Sequence, residues 1–292
     1  MERTCRTLGA LLLVAALSAC ETNSAEVAQD WQIERLATKD YWWMQDFSQN
    51  ADDWRVLFPY YSGSVVHNAD SETATLSFFG GADGYFQQFT SSFGKESITE
   101  SATWLGDHIS EIDIFLDTDW PLSMEVSYNV VGYYDGWAVL NNSFIVYVPW
   151  SADDAALIVR AIVGGSSSSY EVHESGWYTF QHVFRDSDGL LVVDFNLLDA
   201  SGLLLWSDSY ESSYAIGPEG KVGSAHNAIV GTQRPAAEDI DIEINNQALY
   251  QVIPGPQSMD DCKRGGFQDF GFSNQGQCIA SVQANDNATP HN

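Results

Sequence analysis

The sequence predicts an all-β protein, an antiparallel β-sandwich of the jelly-roll type, over residues 46–253. Most of this region alternates apolar and polar residues at period two, which is the period of a half-buried strand. Clusters of Gly, Asp and Ser separate the alternating segments at short intervals, and helical periodicity is scarce. Many short strands without intervening helices are typical of sandwiches and barrels.

The N-terminus has the features of a secretory leader. Arg3 and Arg6 form a basic region, and an apolar run extends from Leu8 to Leu17. This run is too short to span a bilayer, which takes about 20 residues, and it is typical of a signal peptide. The leader ends in "LSAC", in which Cys20 is the last residue, and this tetrad resembles the lipobox of bacterial lipoproteins.

The lipobox resemblance implies that residues 1–19 are removed and that the Cys20 thiol carries diacylglycerol, a stable anchor to the membrane. The alternative is ordinary secretion with cleavage after small residues. Glu21 stands where enteric lipoproteins retained at the inner membrane have Asp, so we expect the outer membrane or the cell surface. Residues 20–45 are then the lipidated cysteine and a tether, and residues 31–45 are compatible with one or two helical turns.

Net charge narrows the choice of partners. The chain of 292 residues has 40 acidic and 12 basic side chains, a formal charge of −28. Such a field repels nucleic acid, which we exclude as a partner, and it disfavours polyanionic substrates.

The strands are predicted one by one from alternation and from β-branched residues. Segment 153–165 is also compatible with a short helix, but its β-branched residues favour a strand. Turns are predicted at "DSDG" (186–189) and "DASG" (199–202), each between two strands. The predicted strands are 73–80, 111–117, 123–134, 143–150, 153–165, 177–186, 190–199, 203–210 and 238–245.

Residues 175–208, together with "EIDIFLD" at 111–117, resemble the concanavalin A-like jelly-roll domains of bacterial secreted proteins, the fold of lectins and glucanases. Family 16 glycoside hydrolases share this fold and use Glu-x-Asp-x-Glu, or a form with one extra residue before the last Glu. The resemblance implies a nucleophile at Glu111, with Asp113 beside it. The acid/base position then falls on Phe115 or Leu116, and Asp117 comes one or two positions late. We therefore expect a strand with one polar, solvent-facing side rather than an active site. Glu111, Asp113 and Asp117 are weak catalytic candidates.

Two aspartate pairs are candidates for calcium, although no cofactor is required by the sequence. Asp117 with Asp119, and Asp186 with Asp188, present the hard oxygen ligands that calcium prefers. The same residues are also common in turns, which is the alternative we favour.

Aromatic residues are frequent, with ten tryptophans in the chain. Most aromatic rings are expected in the sandwich core. Clusters in predicted loops are candidates for stacking on sugar rings, with an acidic residue beside them to accept hydrogen bonds from hydroxyl groups. These candidate ligand-binding residues are Trp42, Trp43, Tyr60, Tyr61, Tyr133, Tyr134, Asp135 and Trp137.

Residues 254–292 differ in composition from the sandwich. Cys262 and Cys278 remain as an even pair in an oxidising compartment, which predicts a disulfide; two metal-binding thiolates are the alternative. "CKRGGFQDFGFSNQGQC" (262–278) resembles a cysteine-bounded tail of secreted bacterial proteins, a resemblance that assigns no activity. Residues 283–292 are expected to be disordered.

The sequence as a whole predicts a cell-surface lipoprotein with a non-catalytic sandwich that binds carbohydrate or another surface ligand. Two alternatives stay open. One is a glycoside hydrolase or lyase of the jelly-roll type, and the other is a structural or protein-interaction module of the envelope.

Overall fold

The computed structural model describes residues 38–56, 63–79, 87–93, 106–122, 124–134, 138–149, 156–162, 168–216, 222–234, 239–253, 258–268 and 274–288. The chain divides into two compact units. Residues 41–251 form the first unit, and the second holds the described parts of residues 1–40 and 252–292. None of the helices in the described ranges has the length and apolar character needed to cross a bilayer.

The first unit is built from two antiparallel sheets, and the chain passes back and forth between them. The eight-stranded sheet has the order β13-β12-β11-β6-β15-β4-β3, with β1 also paired to β15. The seven-stranded sheet has the order β10-β9-β8-β7-β14-β5-β2. The strands of the eight-stranded sheet are β1 (Thr38–Gln45), β3 (Gly63–Asn68), β4 (Thr73–Phe78), β6 (His108–Leu116), β11 (Gly176–Ser187), β12 (Leu190–Asp199), β13 (Leu204–Ala215) and β15 (Ile240–Ile253). Those of the seven-stranded sheet are β2 (Trp54–Val56), β5 (Gln87–Ser91), β7 (Glu125–Tyr134), β8 (Ala138–Tyr147), β9 (Leu157–Ile162), β10 (Ser169–Val172) and β14 (Val222–Arg234).

One hydrophobic core joins the two sheets into a sandwich. Phe144 on β8 is fully buried, and its ring lies 5.1 Å from Phe180 and 5.2 Å from Phe195, measured between centroids. Both contacts are edge-to-face and connect the seven-stranded to the eight-stranded sheet. Phe78 and Phe89 make a similar contact at 4.8 Å elsewhere in the same core. The predicted all-β antiparallel sandwich is therefore confirmed.

Each predicted strand overlaps a strand of the structure, and within 153–165 residues Leu157–Ile162 form a strand rather than a helix. The hairpin at 186–189 is also confirmed, because Asp188 and Gly189 both have positive φ, 54° and 84°. Two consecutive residues of this kind make the tight turn whose twist matches a β-hairpin. The helical turns expected within 31–45 are wrong for residues 38–45, because that segment pairs with β15 as strand β1.

The second unit contains a short helix-rich tail. Cys262 and Cys278 form the predicted disulfide, and both are fully buried. They form a small apolar cluster with Val282, against which the partly buried Ile279 packs. The bridge connects a 3-10 segment, Lys263–Gln268, to helix α1, Gln275–Ala288. The disorder expected for 283–292 is therefore wrong for residues 283–288, which continue α1, and residues 289–292 lie outside the described ranges.

Local geometry explains two glycines of the tail, Gly265 and Gly276. Gly265 has φ of 95°, a left-handed conformation that favours glycine. Asn274 caps α1, since its Oδ1 accepts a hydrogen bond from the Gln277 backbone N–H at 3.0 Å. A Cβ at Gly276 would lie 3.2 Å from that same oxygen, so glycine leaves room for the cap.

Candidate functional site

Strand β6 presents two carboxylates on the outer face of the eight-stranded sheet. Ile112, Ile114 and Leu116 alternate into the core and are almost completely buried. Glu111 and Asp113 therefore point to the opposite face, where both are half-buried. Because β6 lies between β11 and β15, each carboxylate has neighbours on both sides.

Glu111 is held by two neutral donors. The Tyr250 hydroxyl donates to Glu111 Oε2 at 2.7 Å, and Gln181 Nε2 donates to the same oxygen at 3.0 Å. Burial raises the pKa of Tyr250 far above its ordinary value, and the negative charge of Glu111 raises it further. The phenol therefore stays protonated at neutral pH and can donate its hydrogen bond to Glu111.

Hydrogen bonds continue from Glu111 across the sheet. Asn196 Nδ2 donates to Gln181 Oε1 at 3.0 Å, and the Ser207 hydroxyl donates to Asn196 Oδ1 at 2.8 Å. The side chains of Ser207, Asn196, Gln181, Glu111 and Tyr250 thus form one connected line over five strands, which we call the polar row. Asn196 and Tyr250 are at most 2% exposed. Because buried, satisfied hydrogen bonds of this kind hold neighbouring strands together, the polar row stabilises the sheet.

Asp113 lies next to the polar row and is held in the same way. The Thr179 hydroxyl donates to its Oδ1 at 2.6 Å, and Asn246 Nδ2 donates to its Oδ2 at 2.8 Å. Asn246 reaches Asp113 from a β-bulge in β15, where the pairing with β6 shifts between Asn245 and Ala248. Its φ of 44° is the left-handed conformation that Asn tolerates better than most residues.

The third position of the predicted carboxylate series is aromatic. Phe115 shares the face of Glu111 and Asp113, and its ring packs edge-on against Trp177 at 5.6 Å between centroids. Asp117 lies beyond the end of β6 in a turn, where its Oδ1 accepts the Asp119 N–H at 2.9 Å. The structure therefore brings Glu111 and Asp113 together on one face and separates Asp117 from them.

The aspartates predicted for calcium stabilise turns. Asp117 also accepts the Ser175 hydroxyl at 3.2 Å, and Asp186 Oδ1 accepts the Gly189 N–H at 2.7 Å. Asp188 occupies the left-handed position of the β11–β12 turn. Across the described ranges, no three His, Cys, Asp or Glu side chains converge in a way that suits a metal ion. Calcium binding by either pair stays a prediction.

Two of the aromatic residues predicted to bind ligand are used in packing. Trp42 lies against His108 at 5.3 Å between centroids and Trp43 against Phe93 at 5.5 Å, and both tryptophans are half-buried on the core. Tyr133 and Tyr134 end strand β7, where their backbones pair with β8. The remaining predicted ligand residues, Tyr60, Tyr61, Asp135 and Trp137, lie outside the described residues, as does Cys20.

Sequence reasoning did not select Gln181, Tyr250, Thr179, Asn246 or Trp177. The sequence of β11 contained a signal, because Thr179 and Gln181 are the polar residues on either side of the apolar, buried Phe180. The sequence around Tyr250 and Asn246 contained no such signal, because only the register of β15 against β6 brings these two residues to the carboxylates.

No family model matches the sequence, and no curated protein matches it either. The chain is similar to the CBM2 module of the evolved Dit protein of Lactobacillus casei BL23 phage J-1, with 10% identity, 74% of this chain and 97% of the other covered, and a TM-score of 0.47.

The chain is also similar to lectin I-B4 of Griffonia simplicifolia, with 9% identity, 72% of this chain and 95% of the lectin covered, and a TM-score of 0.41. A family 7 alginate lyase gives 10% identity, 68% and 95% coverage, and a TM-score of 0.42.

Proposed function

We propose that this protein is a lipid-anchored envelope protein whose sandwich binds a neutral glycan without cleaving it. The observation that carries the proposal is the outer face of the eight-stranded sheet, where half-buried Trp177 and Phe115 adjoin Asp113 and Thr179. The anchor rests on the lipobox ending at Cys20.

The face offers both kinds of contact that a sugar needs. A pyranose presents an apolar C–H side, which packs on aromatic rings, and hydroxyl groups, which bond to carboxylates and amides. Trp177 pairs with Phe115 in the β11–β6 register, and Thr179 pairs with Asp113 two residues further along. The aromatic pair and the polar pair are therefore separated by about 7 Å, the two-residue repeat of a strand, which is comparable to one sugar ring.

Hydrogen bonds fix the polar groups before any ligand arrives. Asp113 is oriented by Thr179 and Asn246, and Glu111 by Tyr250 and Gln181. A carboxylate oxygen has more than one lone pair, so each group accepts further hydrogen bonds from ligand hydroxyls without giving up its present donors. Preorganisation of this kind lowers the entropy lost on binding.

The same contacts argue for binding rather than hydrolysis. A glycosidase uses two carboxyl groups, one of which is a protonated acid beside the leaving oxygen. Phe115 stands on the carboxylate face where the series predicts that acid, and Asp117 is engaged in a turn. The negative charge of the chain further favours a neutral ligand over a polyanion.

The test is affinity electrophoresis of the chain without residues 1–20 through gels containing neutral β-glucans, galactans or a uronate polymer. We expect retardation by a neutral glycan and no release of reducing ends. Trp177→Ala should abolish retardation, whereas Trp177→Phe should retain part of it. Leu203→Ala removes an apolar side chain that is 49% exposed, and it is the matched control.

Two results would overturn the proposal. Release of reducing ends that disappears in Glu111→Gln would make the carboxylate face an active site. Migration unaffected by any glycan would move the function to an envelope protein partner. The anchor is tested separately by labelled fatty acid, which the full chain should incorporate and the Cys20→Ser variant should not.

A further inference from the structure

Arg160 lies on strand β9 of the seven-stranded sheet, away from the polar row. Leu157, Val159 and Ala161 alternate into the core, so Arg160 belongs to the outer face, where it is half-buried. Its guanidinium carbon lies 5.0 Å from the centroid of the Tyr147 ring, the geometry of a cation–π contact.

Arg160 has no anionic partner among the described residues. Its Nε is buried without a hydrogen-bond acceptor, and no described carboxylate approaches it as an ion pair. The situation is unusual because the chain has 40 acidic side chains and only 12 basic ones. By contrast, Arg185 donates Nε and Nη2 to Asp194 at 2.7 and 2.9 Å.

The described side chains beside Arg160 on the sheet form no ion pair with it. Its direct neighbours across the sheet are Ile145, which is fully buried, and Ser169, which is exposed. Glu171 on β10 pairs with Ile158, two residues from Arg160, and its carboxylate lies 3.5 Å from His173 instead. Glu125 pairs with Tyr147 on the other side.

We propose that Arg160, held on the Tyr147 ring, binds a carboxylate group of a ligand. A half-buried guanidinium that has no counter-ion among the described residues is costly, and a planar carboxylate matches the fork of the two Nη groups beyond the buried Nε. The aromatic ring below it fixes the plane of the fork. Because the whole protein is strongly negative, the site suits a ligand with a single carboxylate rather than a polyanion.

The site is on the other sheet from the polar row, so it is independent of the proposed glycan site. The probes are methyl glucuronide and methyl glucoside, which differ only in the carboxylate at C6. Side-chain Nε–H signals of the arginines in the chain without residues 1–20 report binding by NMR. Arg160→Lys identifies the Arg160 signal, and the ion-paired Arg185 is the internal control.

We expect methyl glucuronide to shift the Arg160 signal saturably and to leave the Arg185 signal in place. Methyl glucoside should shift neither. Arg160→Gln should weaken glucuronide binding about 10- to 100-fold, the factor that a charge-assisted hydrogen bond contributes. Tyr147→Phe retains the ring and should retain binding, which separates loss of the site from loss of the fold. A stationary Arg160 signal throughout the glucuronide titration, or an equal response to the glucoside, would overturn the proposal.

Discussion

Tyr250 donates its phenolic hydrogen to Glu111 at 2.7 Å, although the two residues are 139 positions apart in the chain. The contact joins β15 to β6 at the centre of the eight-stranded sheet, and Gln181 from β11 donates to both groups. Tyr250 is 2% exposed, so the hydrogen bond is shielded from water. Removing the donor there would lower the free energy of unfolding, because water cannot readily replace it. The carboxylate that most resembles a catalytic group is therefore also a structural element.

Removing the phenol tests this structural role. Tyr250→Phe keeps the ring but leaves Glu111 with one donor fewer, so the free energy of unfolding should fall by about 1–3 kcal/mol. Urea denaturation of the chain without residues 1–20 measures the change. The matched control is Tyr178→Phe, whose hydroxyl donates to the Glu174 carbonyl at 2.9 Å in an exposed position, and which should change stability by about 0.5 kcal/mol or less. Equal effects of the two substitutions would contradict the assignment.

Alkaline pH should destabilise the sandwich through its buried tyrosines. Burial raises the pKa of Tyr250 and of Tyr128 above the ordinary value. Above a pH of about 10 the unfolded chain loses phenolic protons that the folded chain keeps, so stability is complete below that pH and falls as pH rises past it. The slope is at most about 1.4 kcal/mol per pH unit for each tyrosine. Tyr250→Phe should make the decline shallower in denaturation curves measured across this range, and an unchanged slope would exclude Tyr250 as a cause.

Much of the fold follows from alternation, and the limits of the prediction follow from pairing. The period of two placed Ile112 and Ile114 inside and Glu111 and Asp113 outside, as the structure shows. It gave no indication of β14, whose residues 222–234 are rich in Gly, Ala, Ser and Asn rather than alternating apolar residues. Partners such as Tyr250 depend on the register between distant strands, which no local pattern encodes.

Two short segments have a secondary structure that tertiary contacts, rather than local composition, determine. Residues 38–45 form a strand because β15 offers them a pairing edge. Residues 283–288 are mostly polar, yet they continue the helix that Asn274 caps and that the disulfide fixes at Cys278. Local composition is a weak guide in both cases, because the stabilising contact comes from another part of the sequence.

Gln247 on β15 has a buried amide side chain. It is fully buried, and neither its Nε2 nor its Oε1 has a partner in the described part of the chain. An unsatisfied buried polar group costs about 1–3 kcal/mol, so the similarly shaped Gln247→Met should raise the free energy of unfolding by a comparable amount. Thermal and urea unfolding measure the gain. Gln275→Met, at an exposed position, should have almost no effect, and a loss of stability in Gln247→Met would show that the amide has a role the contacts do not reveal.

Gly63 and Gly176 are both strand glycines, but only one of them is required by close packing. A Cβ at Gly63 would lie 2.7 Å from Phe89 Cζ and 3.0 Å from the Ser77 carbonyl oxygen. Gly63→Ala should therefore cost about 1–3 kcal/mol through overpacking. A Cβ at Gly176 would lie 3.9 Å from Tyr178, an ordinary contact, so Gly176→Ala should be neutral or slightly stabilising. Urea midpoints of the two variants, measured side by side, decide whether the Phe89 contact is as tight as the geometry indicates.

The tail should depend on its disulfide more than the sandwich does. The buried apolar cluster of the tail's described residues consists of Cys262, Cys278 and Val282, with Ile279 against them, which is too small to stabilise a unit alone. The bridge closes a loop between residues 16 positions apart, a constraint that contributes about 3 kcal/mol in the chain-entropy model. Cys262→Ser should therefore abolish the helical circular-dichroism signal of α1 and expose the tail to proteolysis, while the urea midpoint of the sandwich stays unchanged.

A second variant separates the disulfide from the helix itself. Asn274→Ala removes the cap of α1 and keeps the bridge, and it should cost about 1 kcal/mol, so the helix frays but persists. If Cys262→Ser and Asn274→Ala give the same partial loss of helix, the bridge adds nothing to the cap. If Cys262→Ser also lowers the sandwich midpoint, the two units unfold together, because loss of the tail then removes stability from strands that contain neither cysteine.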